Sequence, residues 1–190
     1  MDLPWGDEKT VQFITNVGLI TSSGPYGDNI MSAEWTHHVS YSPGLVAVCI
    51  GSGKATLANI QKTKEFGISI CATGQNVMAS IAGGSSGKNV DKIKVLKELG
   101  FNFYNAKKIK SLMVEGAVVS IECRLFKEIG LGDHVMLVGE VVEASLNKSK
   151  EPLAYHKVKY WKFGESIPRP SEEEMKRIKG IVEKHNKRQK

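Results

Sequence analysis

The sequence is 190 residues long, 41% hydrophobic and 24% charged, with a net charge of +6, which suits one folded domain with a buried core. No run approaches the ~18 apolar residues of a membrane-spanning helix, and the N-terminus carries no apolar signal segment, so a cytoplasmic chain is expected. Half of the net charge lies from Ser171 onward, where seven Lys and Arg face four Glu. No nucleic-acid reading motif accompanies that charge, so neither nucleic acid nor a membrane is an expected partner.

Val11 to Ser22 is rich in β-formers and reads as one strand, closing in the turn cluster Ser22 to Asn29. Met31 to Ser40 reads as a second strand, ended by Pro43-Gly44, and Leu45 to Ile50 as a short apolar one. Ala55 to Thr63 has helical spacing through Leu57 and Ile60, Phe66 to Cys71 alternates, and Val77 to Ile81 reads as helix. So does Val90 to Leu99, with Val90, Ile93 and Leu96 on one stripe. In Val119 to Phe126 the residues Val119, Ile121, Cys123 and Leu125 alternate with more polar neighbours, the pattern of a half-buried strand. Val135 to Val142 is apolar on nearly both faces and belongs inside a sheet, with Lys127 to His134 as the hairpin connection before it. Val158 to Phe163 gives a last strand. Ser171 with Glu174 forms a capping box for a final helix striped by Met175, Ile178 and Val182. The expected class is β-rich α+β: a barrel or sandwich over residues 1–170 with a few flanking helices, then a C-terminal helix and basic tail over 171–190.

Several chemistries lack their residues. Cys49, Cys71 and Cys123 are far apart with no CxxC pair, and His37-His38 has no third ligand, so no metal is expected. Buried free thiols in a reducing compartment are the simpler reading. Gly51-Ser52-Gly53-Lys54 departs from a P-loop, with Val48 where a glycine is needed and Ala55 where a hydroxyl is needed; Gly83 to Asn89 departs similarly. Gly51 to Thr56 nevertheless leaves an apolar strand and enters a helix, offering backbone amides, Ser52, Lys54 and Thr56 to a single phosphate. A plain helix cap with a solvated lysine fits the same residues. Asn29 to Thr36 combines small and hydroxyl residues with Trp35, which suits the polar edge and apolar wall of a flat ring, although Trp35 alone also suits a core.

Taken in order, Thr21-Ser22, Asn29-x-Met31-x-x-x-Trp35-Thr36, Val39-Ser40-x-x-Pro43, Gly51-Ser52-x-Lys54-x-Thr56, Phe66-x-Ile68-x-Ile70 and Gly132-Asp133-His134 resemble the flavin reductase-like family, and within it the flavoredoxin group. The resemblance implies an FMN-binding split β-barrel, usually a homodimer, holding its flavin non-covalently, with NAD(P)H as electron donor. By position, Asn29, Met31, Ser32, Ala33, Glu34, Trp35 and Thr36 would line the isoalloxazine and ribityl chain, beside the strand residues Cys49, Ile50 and Gly51. Ser52, Lys54 and Thr56 would take the phosphate, with Lys92 as a further basic contact. His134 would sit at the exposed flavin face where a nicotinamide stacks. The implied activity is flavin or ferric reduction, or flavoredoxin-type electron transfer, to a small molecule or a redox protein. An electron carrier without NAD(P)H oxidation, or a non-catalytic flavin-binding barrel, are the alternatives.

Overall fold

The β-forming run from Val11 does not make one strand. The computed structural model, which describes residues 2–185, has a 3-10 turn at Thr10–Gln12, then β1 (Thr15–Asn16) and β2 (Gly18–Ser22). Only β2 joins the main sheet, and all five of its residues are buried. The second expected strand is also two, β3 (Asn29–Ala33) and β4 (Thr36–Ser40), interrupted at Glu34 and Trp35. There follow β5 (Leu45–Gly51), α1 (Ala55–Thr63), β6 (Glu65–Ile70), α2 (Asn76–Gly84) and α3 (Lys92–Glu98). The second half holds β7 (Phe103–Asn105), β8 (Leu112–Val114), β9 (Val119–Leu131), β10 (His134–Leu146), β11 (Ala154–His156), β12 (Lys159–Trp161) and α4 (Glu172–Lys184).

The main sheet is antiparallel, seven-stranded, and ordered β3-β2-β6-β9-β10-β5-β4. Its two edge strands are consecutive in sequence and joined by only Glu34 and Trp35, so the edges must lie side by side and the sheet rolls into a split barrel. The seam is drawn together by Asn16, whose side-chain amide donates to the Thr36 carbonyl at 2.6 Å. Gly18 is required there: a Cβ on it would collide with the Thr36 side chain.

Strand alternation sends successive residues of β2 to opposite faces. Leu19 packs with Ile30, Met78, Ala79, Ile93 and Leu96 under α2 and α3, while Ile20 packs with Val48, Ile50, Ile60, Phe66, Ile68 and Leu137 inside the barrel. Burial on both sides explains why β2 is buried throughout. α3 starts later than its stripe suggested, because Asp91 is the N-cap, accepting from the Lys94 amide at 3.0 Å. Val90 therefore falls before the helix and is partly exposed.

The long hairpin β9–β10 turns at Gly132 and Asp133, with Gly132 at φ +57°. Lys127 to Leu131, read from sequence as connection, continues β9. On the polar face of β9, Arg124 and Phe126 are exposed as expected, but Ser120 and Glu122 are buried. Glu122 is buried because its carboxylate accepts the backbone amides of Lys107 (2.8 Å) and Lys108 (2.6 Å), in the loop between β7 and β8. Those two strands and β11 had no clear sequence signal; β11 pairs with β1 and β12 in a small second sheet. Burial pushes the free thiols of Cys71 and Cys123 up to about 12.

α4 carries the expected capping box, with Ser171 and Glu174 exchanging hydrogen bonds of 3.2 Å. Its stripe of Met175, Ile178 and Val182 is exposed rather than packed on the barrel. The end of the basic tail, with Lys187, Arg188 and Lys190, lies outside the described residues. Among the described residues no helix is long and apolar enough to cross a membrane.

Candidate functional site

β3, the end of β5, the start of α1 and the β9–β10 turn converge on a cleft of about 840 Å³, within the ~300–1,000 Å³ range of small-molecule sites. Every residue singled out from sequence lines it except Thr36 and Ile50. Both exceptions follow from strand geometry. Cys49 and Gly51 face the cleft, so Ile50 between them points into the barrel core, where it is fully buried. Thr36 is turned into the barrel seam, its hydroxyl donating to the Ala33 carbonyl at 3.2 Å.

One part of the cleft is built for negative charge. α1 begins just after Gly51-Ser52-Gly53, with Lys54 at the N-cap position and no side chain capping the helix. The loop thus supplies no side-chain cap, although Lys54 is exposed as the cap reading has it, and the first amides of α1 remain available to an anion. Ser52 donates its amide to the Asp133 carbonyl at 3.2 Å, which ties the loop to the β9–β10 turn. Lys92, only 2% exposed, donates to the Ala82 carbonyl at 3.0 Å. Burial, and secondarily the charge of Lys54, pull the Lys92 ammonium down to about 8. Among the described residues neither lysine has an ion-pair partner. Asn29 donates to the Thr56 hydroxyl at 2.7 Å, locking β3 to the first turn of α1. Gly87 backs onto that Asn29 carboxamide so closely that a Cβ would clash with it.

Another stretch of the lining is apolar and aromatic. Met31, Ala33 and Trp35 lie along it, and Ser32 is not free to face a ligand, since its hydroxyl donates to the Ala79 carbonyl at 2.6 Å. The Trp35 ring lies 4.7 Å from that of His134, tilted by 48°. His134 opens β10, opposite Gly51 of β5, and its Nδ1 is 2.8 Å from the Asp133 carboxylate. That hydrogen bond holds the Asp133 carboxyl below the usual carboxylate range.

Sequence reasoning missed three walls of the cleft: Leu3 to Gly6 with Thr10, Val11 and Phe13; Ser85 to Gly87; and Tyr155, Lys157 and Val158. Only the second had a visible signal, a Gly/Ser run set aside once the P-loop pattern failed. The other two reach the cleft through long-range folding, with no local pattern to mark them.

Residues 10–164 match the profile described as the flavin reductase like domain. An uncharacterised protein of Archaeoglobus fulgidus is 28% identical over 155 residues, covering 80% of this chain and 86% of that one. The NADH-dependent FAD reductase of Streptomyces globisporus is 26% identical, over 80% of each chain. The flavoredoxin of Desulfovibrio vulgaris (Miyazaki F) has the same fold, with a TM-score of 0.74 and 23% identity over 90% of this chain and 98% of that one. The chain belongs to the flavin reductase-like domain family.

Proposed function

We propose that the chain is a flavin-dependent oxidoreductase that binds one FMN non-covalently in this cleft and accepts electrons from NAD(P)H. The observation that carries the reading is the convergence of Lys54 and Lys92, with no ion-pair partner among the described residues, on the uncapped start of α1. A terminal phosphate supplies the charge those groups lack. The apolar wall of Met31, Ala33 and Trp35 suits a flat ring.

Bound flavin supplies the two-electron redox chemistry. The chain's own residues do the rest. Lys54, Lys92, Ser52 and the α1 amides fix the phosphate, and Asn29 with Thr56 keeps β3 and α1 in register around the tail. His134, oriented by Asp133 and backed by Trp35, shapes the rim where the nicotinamide docks. Electrons then pass to free flavin, a ferric complex or a redox protein. Residues 1–170 form the folding unit in this reading, with 171–190 appended; the full exposure of α4 supports that division. The assembly is a homodimer in the cytoplasm, where three free thiols stay reduced.

Purified protein that is yellow, and whose tryptophan fluorescence is quenched by FMN more tightly than by riboflavin, supports the site; oxidation of NADH or NADPH with added FMN supports the activity. Colourless protein without quenching overturns both. FMN binding without turnover leaves an electron carrier. Sedimentation at several concentrations tests the dimer.

A further inference from the structure

The N-terminal segment folds as a strap across the mouth of the cleft. Its own turn is closed by the Asp7 amide on the Pro4 carbonyl at 3.1 Å and by the Thr10 hydroxyl on the same carbonyl at 2.9 Å. Two contacts fasten it to the barrel. The Trp5 indole N–H donates to the Glu34 carboxylate at 3.3 Å, and the Lys157 amide donates to the Val11 carbonyl at 3.2 Å. Glu34 is one of the two residues joining the edge strands β3 and β4, and its neighbour Trp35 stands against His134. The strap is therefore tied to the corner that carries the cleft's aromatic lining.

The strap's side chains are unusual for a surface turn. Trp5 is 72% exposed and Phe13 70%, and both line the cleft, as does Trp35 at 54%. Large apolar surface left open around a concave site marks where a ligand is covered. Tryptophan is a particularly economical cover, with a wide face and only two rotatable bonds to order.

We infer that the N-terminal strap is the outer half of the flavin site, and that Trp5, positioned by Glu34, covers the bound ring and slows its release. This rests on the flavin reading above. It makes the flavin a resident group rather than a freely exchanging one, because covering a ring acts mainly on the dissociation rate.

The test is FMN release, followed as recovery of flavin fluorescence on dilution of the loaded full-length protein, in wild type, Trp5→Ala, Trp5→Phe and Glu34→Gln. Trp5→Ala is expected to speed release by about tenfold or more, the scale of losing one covering aromatic, with the melting temperature of the FMN-free protein unchanged. Trp5→Phe, which keeps a ring but loses the N–H, should fall between. Glu34→Gln, which replaces the charged acceptor of the indole N–H with a neutral one, should speed release less than Trp5→Ala does. Unchanged release in Trp5→Ala overturns the inference, and so does a loss of FMN-free stability without faster release, which would make Trp5 a clasp for the chain terminus. Failure of the wild type to take up FMN would instead overturn the reading beneath it.

Discussion

Lys54 and Lys92 reach the same part of the cleft from different elements, one at the N-cap of α1 and the other opening α3, and burial, with the charge of Lys54 added to it, depresses the Lys92 ammonium. Neither has an ion-pair partner among the described residues. Two like charges held together without an acid store unfavourable energy that an anion relieves.

The sign of the resulting pH dependence is fixed. With its pKa near 8 rather than 10.5, Lys92 is charged in the free protein below that pH and largely neutral above it. A bound phosphate favours the charged form, so binding above about pH 8 takes up a proton, and FMN affinity falls by up to tenfold per pH unit. Riboflavin, which has no phosphate, should show no such fall between about pH 7 and about pH 9. Parallel titrations by tryptophan quenching check this, and equal slopes for the two ligands would refute it. The linkage to folding runs the other way: the unfolded chain binds the extra proton, so the strain from Lys92 is present below about pH 8 and is relieved as pH rises toward 10.5.

Gly87 is expected to be intolerant of substitution. A Cβ at this position would displace the Asn29 carboxamide and with it the buried hydrogen bond to Thr56. Gly87→Ala should cost about 1–3 kcal/mol of stability, the scale of an unsatisfied buried polar group, and weaken FMN binding as the α1 loop loses its tie to β3. Thr56→Val breaks the same bond without the clash and should reproduce most of the loss. A Gly87→Ala protein with native melting temperature and native affinity would show that the loop moves aside freely.

The cleft's parts were legible in the sequence to different degrees. The proposed anion loop lies within one local segment, Gly51 to Thr56, where strand, glycines and helix start follow in order, so spacing offers it only beside a plain helix cap. Trp35 is readable from its own segment, as a ring wall or as core, while His134 is marked only by the family resemblance; their 4.7 Å approach depends on the pairing of β10 with β5. Ile50 falls out because alternation along β5 turns it into the core between Cys49 and Gly51, and Thr36 because it is turned into the seam, whereas Met31, Ser32 and Ala33 all reach the cleft from β3. Trp5 was out of reach, since nothing near it in sequence states that it meets Glu34, which lies far along the chain. The barrel closure was hidden in the same way. Met31 to Ser40 is one continuous β-forming run, and only the tertiary path across the seam divides it.

The bulged region of β10 gives a prediction about the core. The register between β9 and β10 shifts at Val138/Gly139, and a Cβ on Gly139 would lie 2.6 Å from Phe66 Cζ and 2.7 Å from Cys123 Cβ. Both neighbours are fully buried, so the core has no room to yield. Gly139→Ala should destabilise by about 1–3 kcal/mol through overpacking, lowering the melting temperature by roughly 2–4 °C per kcal/mol for a chain of this size. Phe66→Leu should restore part of the loss by retracting the ring atom that clashes. Failure of that second substitution to help would place the strain at Cys123 instead.

In the proposed site, His134 is the residue expected to separate binding of the flavin from binding of its electron donor. It lies against Trp35 at the rim, beside Gly51 and close to Lys54, but is not among the groups proposed to hold the phosphate. His134→Ala is therefore expected to leave FMN affinity within about threefold while lowering kcat/KM for NADH by tenfold or more, the cost of losing a group that orients a reactant. The loss should appear in KM if His134 only docks the nicotinamide, and in kcat if it sets the approach to the ring. Asp133→Asn should have a smaller effect, roughly twofold to fivefold, because its carboxylate is exposed and orients the imidazole more than it stabilises it. Lys54→Ala supplies the opposite pattern, with weakened FMN binding and a near-normal KM for NADH once the protein is saturated with flavin. If His134→Ala and Lys54→Ala instead weakened FMN binding equally and left NADH kinetics alike, the division of the cleft into a phosphate site and a donor-facing rim would be wrong.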